Sequence, residues 1–395
     1  MKIIFISSGQ YPNGGAASNR HLAYSKGLIE LGHQVEFILL KKQHWAGEEI
    51  EFNEIKFICV SPKATNSLSK IEKIILHFKS IRKAKTALTK FNEEKKISAL
   101  ILLDPDISIL IPLINQGKRL GLKIFHERTE YPFVVASKSI LGKINLSFYL
   151  KYVIKKFDGI YVINRALKRY FSSLTSCDIC IVNMVVEPTR FEHCPKKPVD
   201  KNTIITYCGT LEGDKDGVPI LIKSFAMIAN KFPFAKLQLM GSLENEITKE
   251  KITSLVEDLK IEDRVEFTGF VGREEMPDLL NNSDILVLAR PNNKQAEGGF
   301  PTKLGEYLAT GNPVVITNVG EIGLFLKDGI NAYIAAPDSV EKFSEKLQEA
   351  LSDSNREKIG LEGKKLVYEE FNYLTQAKKL ESFFYNKNFL IQLCN

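Results

Sequence analysis

One stretch, QAEGGFPTKLGEYLATGNPVVI at residues 295–316, constrains the fold most because its local signals agree. Pro301 suits a first helical turn, since proline has no N–H to leave unbonded. Apolar residues that include Leu304 and Tyr307 follow at helical spacing and predict a buried face. Gly311 suits a helix end, and PVVI is typical of a short strand buried in a parallel sheet. The stretch therefore predicts a loop, a helix and a buried strand.

The start of this predicted helix is suited to binding an anion. Its first N–H groups have no partner within the helix, and the helix dipole is positive at that end. Glu306 lies about one turn further along the helix. A carboxylate there can accept two hydrogen bonds from a vicinal diol such as a ribose while phosphates contact the N–H groups. We interpret the stretch as a nucleotide-binding loop and helix.

The same stretch resembles the donor-loop signature of the retaining glycosyltransferases of family 4, which have the GT-B fold. The matching residues are Gly299, Phe300, Glu306, Gly311, Pro313, Val314 and Val315. The family signature has another acid eight residues before the one that matches Glu306. This chain has Gly298 at that position, and its nearest acid, Glu297, is one residue earlier. We interpret the loop as a variant with the order Gly-Phe-Pro-Thr-Lys-Leu-Gly-Glu. The alternative is an ordinary βαβ helix with a chance glutamate.

The resemblance implies an α/β protein of GT-B fold, with two Rossmann-like domains whose parallel sheets face across a cleft. Alternating strand and helix patterns along the whole chain agree with parallel sheets. We expect an acceptor domain at 1–185, a proline-rich linker at 186–202 and a donor domain at 203–370. Residues 371–395 are expected to form a C-terminal helix that crosses back to the first domain.

The resemblance also implies the reaction. It predicts transfer of a hexosyl or N-acetylhexosaminyl group from a nucleotide-sugar to a glycan or lipid-linked acceptor, with retention and without a metal ion. The nucleotide-sugar is a co-substrate, and no cofactor and no nucleic acid partner are expected. Cell-surface polysaccharide synthesis is the expected context. The sequence does not specify the sugar, the base, the acceptor or the linkage.

A glycosyl transfer needs positive charge around the leaving diphosphate. The family places an arginine and a lysine after the first strand of the donor domain. Lys215 matches the lysine, but Thr210 occupies the arginine position, and a hydroxyl cannot replace a guanidinium. We predict that Lys303 or Arg290 supplies the missing charge. The predicted donor-binding residues are Gly14, Gly15, Thr210, Val271, Arg290, Glu297, Phe300, Pro301, Thr302, Lys303 and Glu306.

The first half of the chain opens with a βαβ pattern around a glycine-rich loop. Further on, LKIFHE reads as a strand with His126 at its C-terminal end, and ligands of open α/β sheets bind at such strand ends. The resemblance places this histidine close to the transferred sugar, so His126, Lys215 and Glu306 form the predicted catalytic set. Glu127 and Arg128 are predicted to bind the acceptor. The alternative for His126 is a purely structural role.

Charge is distributed unevenly along the chain. Residues 1–200 carry a net charge of +13 and residues 201–395 a net charge of −6. The basic half predicts a surface for an anionic membrane or a phosphorylated lipid, and the alternative is a solvated lysine-rich surface. Lysines alternate with apolar residues at about 67–96, which predicts a basic amphipathic helix or helix pair that touches a membrane or, alternatively, packs on the sheet. Lysines also stand among apolar residues at 138–157, a second candidate for a membrane-facing surface. No apolar run is long enough to span a membrane, so we expect a cytoplasmic protein, with the inner face of the membrane as a candidate location.

Two other functions fit a similar fold. A nucleotide-sugar epimerase would need a second set of acids and histidines around the sugar carbon. A non-catalytic nucleotide-sugar-binding protein would fit the absence of an acid at Gly298 and of an arginine at Thr210. The spacing of Cys177, Cys180 and Cys194 resembles a zinc site only faintly, and we expect none.

Overall fold

The computed structural model describes residues 1–45, 47–61, 69–192, 194 and 202–385. They form two compact units. The first contains Met1–Val185 together with the described residues from Tyr373 onward, and the second contains Val186–Asn372. Part of the expected linker (193 and 195–201) and the end of the expected C-terminal helix (386–395) lie outside the described residues.

The first unit is built on an eight-stranded sheet in the order β3-β4-β2-β1-β5-β6-β7-β8. All neighbours are parallel except the edge pair β3 and β4, which is antiparallel. Chain order reverses between β1 and β5, the kind of switch point where ligands bind. The strands are β1 Lys2–Ser7, β2 Gln34–Leu39, β3 Glu49–Phe52, β4 Ile55–Cys59, β5 Ala99–Leu102, β6 Lys123–Arg128, β7 Gly159–Val162 and β8 Asp178–Ile181.

Helices cover both faces of this sheet. They are α1 Ala16–Glu30, α2 Lys70–Glu94, α3 Ile107–Arg119, α4 Pro132–Val135, α5 Ile140–Phe148, α6 Arg165–Ser172 and α15 Tyr373–Tyr385, the last of which returns from the end of the chain. A π turn at Tyr149–Val153 continues α5. Helix α15 packs along α1, where Gly27 leaves room: a Cβ there would lie 2.6 Å from the Cβ of Ala377. Its Phe383 and Phe384 cover Phe125 of β6.

The second unit has a six-stranded parallel sheet in the order β11-β10-β9-β12-β13-β14, with its switch point between β9 and β12. This is the strand order of a Rossmann domain. The strands are β9 Thr203–Cys208, β10 Ala235–Met240, β11 Val265–Gly269, β12 Ile285–Leu288, β13 Val314–Thr317 and β14 Tyr333–Ala335. The helices are α7 Val218–Ala229, α8 Glu246–Asp258, α9 Met276–Asn281, α10 Lys294–Gly298, α11 Thr302–Thr310, α12 Ile322–Phe325, α13 Val340–Ser352 and α14 Arg356–Leu366.

The stretch at 295–316 forms the elements that its sequence predicts. Helix α11 begins after Pro301, Gly311 adopts the left-handed conformation that ends it, and all of β13 is buried. Leu304 and Tyr307 are fully buried. The C-terminal helix expected at 371–395 corresponds, in its described part, to α15, and a π turn at Val367–Phe371 separates α15 from α14.

The two basic amphipathic segments are helical but incompletely covered. The described part of the first is a single 25-residue helix, α2, which a Ser69–Glu72 capping box begins. Its N-terminal half exposes apolar side chains, and its C-terminal half buries Ile81 and Leu88. Ile140, Leu141 and Ile144 of α5 are also exposed. No helix in the described ranges is long and apolar enough to cross a membrane.

Candidate functional site

A cluster of buried charges lies at the carboxyl ends of the two central strands of the second unit. Asp216 lies in the loop after β9, Arg290 lies two residues after the end of β12, and Lys303 lies in the first turn of α11. Lys303 Nζ lies 2.5 Å from Asp216 Oδ2, and Arg290 Nε lies 3.5 Å from Asp216 Oδ1. Asp216 and Arg290 are almost completely buried. Two cations therefore share one carboxylate, which leaves an excess of one positive charge.

Tyr207, on β9, completes this arrangement. Its hydroxyl accepts a hydrogen bond from Lys303 Nζ at 3.0 Å and lies within donating distance of both Asp216 Oδ2 and the Thr210 carbonyl. The ammonium of Lys303 also lies 4.6 Å from the centroid of the Tyr207 ring, a cation–π contact. Ion pair, hydrogen bond and ring together fix the position of the Lys303 ammonium.

Two glycines make this close approach of loops feasible. A Cβ on Gly209 would lie 2.0 Å from Lys303 Nζ. Gly217 has a left-handed backbone at the start of α7, and a Cβ there would lie 1.9 Å from the Ala289 carbonyl oxygen. Larger residues would separate the loop after β9 from α11 and from the end of β12.

Burial and neighbouring charge shift the pKa values of Asp216 and Lys303 in opposite directions. Burial alone would raise the pKa of Asp216, but the charges of Lys303 and Arg290 outweigh it and lower the pKa. Burial lowers the pKa of Lys303, while Asp216 opposes that shift. Asp216 is therefore ionised at neutral pH and keeps the two cations in place.

Glu306 lies one turn further along α11, beside two arginines. Arg190 Nη1 is 3.8 Å from Glu306 Oε1, and Arg190 donates a hydrogen bond to the Arg273 carbonyl at 2.5 Å. Burial raises the pKa of Glu306, while the charges of Arg190 and Arg273 oppose that shift. Within the described part of the chain, no group donates a hydrogen bond to this carboxylate, and its side chain is 16% exposed. Its oxygens are available to hydroxyl donors from a ligand.

Tyr307, the next residue, attaches α11 to the end of β9. Its hydroxyl accepts from the Cys208 amide at 2.7 Å and lies 3.2 Å from the Cys208 carbonyl. This contact fixes the start of α11 against the first strand of the sheet, so Glu306 and Lys303 keep their positions relative to the loop after β9.

The structure thus brings together only part of the predicted donor set. Lys303, Arg290 and Glu306 lie in or beside the cluster, with Pro301 and Thr302 at the start of α11 and the Thr210 carbonyl at its margin. Sequence reasoning missed Asp216, Tyr207, Arg190 and Arg273. The adjacent Gly217 is the one sequence signal that could have indicated Asp216.

Lys215, predicted to be the matching lysine, occupies a different environment. Its side chain is exposed, and its backbone carbonyl lies 3.4 Å from Arg290 Nε. The buried charge in this loop belongs to Asp216, one residue later, which has the opposite sign. The prediction that Lys303 or Arg290 supplies charge in this region agrees with the positions of both side chains beside Asp216.

Other predicted donor residues have local roles. Glu297 pairs with Lys294 at 2.6 Å on the exposed helix α10. The Phe300 ring packs on Phe325 and Phe371, so it anchors the loop. Val271 follows β11, an edge strand two strands from β9. Gly14 and Gly15 precede α1 in the first unit, and a Cβ on Gly14 would lie 2.1 Å from Ser18 Oγ.

His126 is completely buried in the first unit. Its ring stacks on Phe157 with centroids 4.6 Å apart, and Nδ1 lies 2.5 Å from the Leu102 carbonyl. Because a carbonyl only accepts, Nδ1 carries the proton, and Nε2 accepts from the Tyr149 hydroxyl at 3.0 Å. Burial, assisted by the charge of Arg128, lowers the pKa of His126 to about 3. The ring is neutral and both nitrogens are occupied, which favours the structural alternative over contact with a sugar.

Glu127 and Arg128 differ sharply although they are adjacent. Glu127 accepts from Arg20 Nε at 2.8 Å and lies 2.5 Å from His21 Nε2. Burial would raise the pKa of Glu127, but His21 and Arg20 outweigh it and lower the pKa to about 2. This carboxylate is used within the first unit, which argues against its predicted contact with an acceptor. Arg128 is 6% exposed, and its Nε has no hydrogen-bond partner among the residues that the structure describes.

Comparisons with known proteins agree with the fold and with the second unit. Residues 189–366 match the family described as "Glycosyl transferases group 1". Two curated relatives are a mannosylfructose-phosphate synthase of Agrobacterium fabrum, 30% identical over 34% of this chain and 29% of that protein, and a lipopolysaccharide 1,2-N-acetylglucosaminetransferase of Salmonella typhimurium, 24% identical over 45% and 47%. The matched segments thus span less than half the length of these relatives.

Solved structures extend the likeness to nearly the whole chain. Sucrose-phosphate synthase from Thermosynechococcus elongatus has a TM-score of 0.76 at 17% identity, covering 97% of this chain and 98% of that one. Anabaena Alr3699/HepE in complex with UDP and glucose has a TM-score of 0.69 at 15% identity, covering 97% and 99%. The predicted fold class, α/β with two Rossmann-like domains of the GT-B type, is confirmed.

The buried ion pairs predict a specific pH dependence of stability. The folded-state pKa of Asp216 lies below the unfolded value of 3.8, so its contribution is complete above that pH and is lost as the pH falls through the folded value. At pH 7, Asp216→Asn should lower the free energy of unfolding by about 3 kcal/mol because it leaves Lys303 and Arg290 buried without their carboxylate. Urea titrations from pH 7 to pH 3 should show this deficit shrinking.

Asp263→Asn, at an exposed position of the same unit, is the matched control. It should leave the free energy of unfolding within about 0.5 kcal/mol of the parent protein. Equal effects of the two substitutions would show that the Asp216 ion pairs do not stabilise the second unit.

Residues 189–366 therefore match glycosyl transferases group 1 by sequence, and nearly the whole chain shares its fold with sucrose-phosphate synthase and with Alr3699/HepE.

Proposed function

We propose that this chain is a glycosyltransferase that moves a hexosyl or N-acetylhexosaminyl group from a nucleotide-sugar to a glycan or lipid-linked acceptor. The observation that carries the proposal is the position of Lys303, fixed by Asp216 and Tyr207 at the switch point of a Rossmann sheet. The match of residues 189–366 supports it independently. Two relatives, the lipopolysaccharide 1,2-N-acetylglucosaminetransferase of Salmonella typhimurium and a capsular polysaccharide biosynthesis glycosyltransferase of Staphylococcus aureus, favour cell-surface polysaccharide synthesis.

The donor diphosphate is proposed to bind at the start of α11. Lys303 and Arg290 carry one more charge than Asp216 neutralises, and the first N–H groups of α11 add a positive dipole end. Because these groups are already fixed, they can stabilise the charge that develops on the leaving diphosphate without reorganising. The same reasoning supports a reaction that needs no added metal ion, since fixed cations supply the positive charge.

The nucleoside is proposed to be positioned by Glu306. Its carboxylate lacks hydrogen-bond donors among the residues that the structure describes. Burial raises its pKa, and the charges of the neighbouring Arg190 and Arg273 oppose that shift. Two ribose hydroxyls can donate to its two oxygens. Holding the ribose and the diphosphate from one helix orients the anomeric carbon. Retention of configuration at that carbon is part of the proposal by likeness to family 4.

A peripheral contact with an anionic membrane completes the proposal. Ile140, Leu141 and Ile144 expose apolar surface on α5, with Lys138 and Lys143 close by in the chain. Exposed apolar groups beside lysines are suited to the boundary between headgroups and acyl chains. Such a contact would bring the enzyme to a lipid-linked acceptor.

A non-catalytic nucleotide-sugar-binding protein remains the second candidate. The exposed side chain of Thr210 at the position of the family's arginine favours it. The two candidates differ in turnover: only the transferase releases the free nucleotide, and only when an acceptor is added. An epimerase would convert the donor without an acceptor.

Removing the Lys303 ammonium should weaken nucleotide binding. We expect Lys303→Met to raise the Kd for the preferred nucleoside diphosphate by about 10- to 100-fold, because a charge-assisted contact to phosphate is lost. The ligand is selected first by thermal shift with UDP, GDP, ADP and dTDP and their sugars, and Kd is then measured by calorimetry. Lys215→Met should have a smaller effect, since that side chain is exposed.

Lys358→Met, an exposed lysine of the same unit, is the control and should bind like the parent protein. The double variant Asp216→Asn, Lys303→Met removes both members of the pair and so avoids an unpaired buried carboxylate. If the folded double variant binds nucleotide as tightly as the parent protein, the diphosphate does not bind at Lys303.

The chemical course of the reaction can be read from its product. With the selected nucleotide-sugar and an acceptor that supports turnover, proton NMR should show the anomeric configuration of the donor retained in the product. Turnover should keep at least half its rate after treatment with EDTA. An inverted product would contradict retention, and a metal-restorable loss of activity would contradict charge stabilisation by protein cations alone.

Membrane contact can be measured by vesicle flotation. Vesicles with about 30% anionic phospholipid should carry the protein, and neutral vesicles should carry much less, because lysines near an anionic surface each contribute about 1 kcal/mol. Substituting Ile140, Leu141 and Ile144 by Ser should abolish flotation, whereas Leu324→Ser, an exposed residue of the second unit, should not. Flotation that all three serines leave unchanged would rule out α5 as the contact.

A further inference from the structure

The first unit buries an arginine without a counter-ion. Arg128 is the last residue of β6 and is 6% exposed, yet its Nε has no hydrogen-bond partner. Across the described residues, no acid lies within ion-pair distance of its side chain. Its one close partner is the ring of Tyr149, 5.9 Å from the guanidinium carbon. A buried ion with no opposite charge is costly, so the arrangement is incomplete as it stands.

The alternation of β6 explains why the adjacent glutamate does not neutralise it. Successive side chains of a strand point to opposite faces. Glu127 points toward α1, where it contacts Arg20, His21 and Tyr24. His126 and Arg128 point to the other face, and both contact Tyr149. Glu127 is therefore committed to partners on the wrong side of the sheet.

The neighbours of Arg128 on its own face supply no negative charge. His126 is neutral, and its Nε2 accepts the hydroxyl proton of Tyr149. Burial raises the pKa of Tyr149, so its phenol also stays neutral at physiological pH. Tyr170, whose pKa burial also raises, is a second neutral phenol, and the charge of Arg128 acts on it. The surroundings are aromatic and uncharged, which strengthens the attraction for any anion that enters.

The position of Arg128 is that of a ligand-binding residue. It ends a central strand at the carboxyl edge of a parallel sheet, the edge at which α/β proteins bind ligands. A guanidinium offers paired donors in one plane, a geometry that matches the oxygens of a phosphate or carboxylate.

We infer that Arg128 binds an oxyanion group, a phosphate or a carboxylate, carried by the sugar acceptor. That the anion belongs to a sugar acceptor rests on the proposed function. The anion site itself rests on the burial of Arg128 and on the lack of a counter-ion among the described residues. An uncharged acceptor would leave Arg128 unpaired, so the enzyme should discriminate against it. The competing source of an oxyanion is the diphosphate of the donor.

Equilibrium dialysis of the full chain with radiolabelled inorganic phosphate tests the site. An excess of UDP, or of whichever nucleoside diphosphate the protein binds, is included to occupy the second unit. The parent protein should still bind phosphate, and Arg128→Met should weaken that binding at least tenfold. Arg169→Met, an exposed arginine of α6 in the same unit, should change nothing. Phosphate binding that the nucleotide abolishes would assign the anion to the donor and overturn the inference.

Thermal unfolding supplies a second readout and separates binding from a structural role. In phosphate-free buffer Arg128→Met should melt no lower than the parent protein, because no ion pair is lost. Added phosphate should raise the Tm of the parent protein and of Arg169→Met, but not of Arg128→Met. A lower Tm for Arg128→Met with an unchanged response to phosphate would show a structural arginine. If no nucleotide binds to the parent protein, the proposed function fails, while the phosphate comparison still decides the fate of the site.

Discussion

The ion pair between Lys303 and Asp216 is the interaction on which the arrangement of the second unit's site depends. It joins the first turn of α11 to the loop after β9, two segments 87 residues apart in the chain. Coulomb attraction between buried charges is strong because little water screens it. Asp216 also holds Arg290, so one carboxylate sets the positions of two cations. A cation held in this way is available to an anion without first giving up a shell of water.

Two other features of the loops support this pair. Gly209 allows the Lys303 ammonium to approach the backbone, and Tyr207 supplies both a hydroxyl and a ring for it. The hydroxyl of Tyr307 fixes α11 to β9 from the next turn. The position of the start of α11 is thus restricted by three features: the apolar burial of α11, the strand order and the charge cluster.

Sequence alone could predict the fold class and the elements around α11, because hydrophobic period, proline and glycine act locally. It also named Lys303 and Arg290 as cations of this region, and both lie beside Asp216. It could not identify Asp216 as their shared partner, because that contact depends on how distant loops meet. The same limit applies to Arg190, whose contact with Glu306 spans more than a hundred residues. In the loop that contains Lys215 the hydrophobic period gives no guidance, so the sequence could not show that Asp216 is the buried charged residue there.

The strand end at His126, Glu127 and Arg128 shows a different limit. The sequence correctly located three polar groups at the edge of a sheet, but their roles depend on what covers each face. Helix α1 supplies cations to the face of Glu127, while aromatic rings cover the face of His126 and Arg128. Two adjacent residues of opposite charge are thereby kept from neutralising each other.

The surroundings of buried positive charge therefore differ between the two units. In the second unit Asp216 offsets one of the two positive charges of Lys303 and Arg290. Among the described residues of the first unit no acid pairs with Arg128, so a bound anion would contribute both binding energy and stability to the fold. A ligand that binds the folded chain alone stabilises it by mass action, and the gain is largest where an unpaired charge was buried. Dependence of stability on an anion, rather than sequence pattern, therefore distinguishes a binding arginine from a structural one.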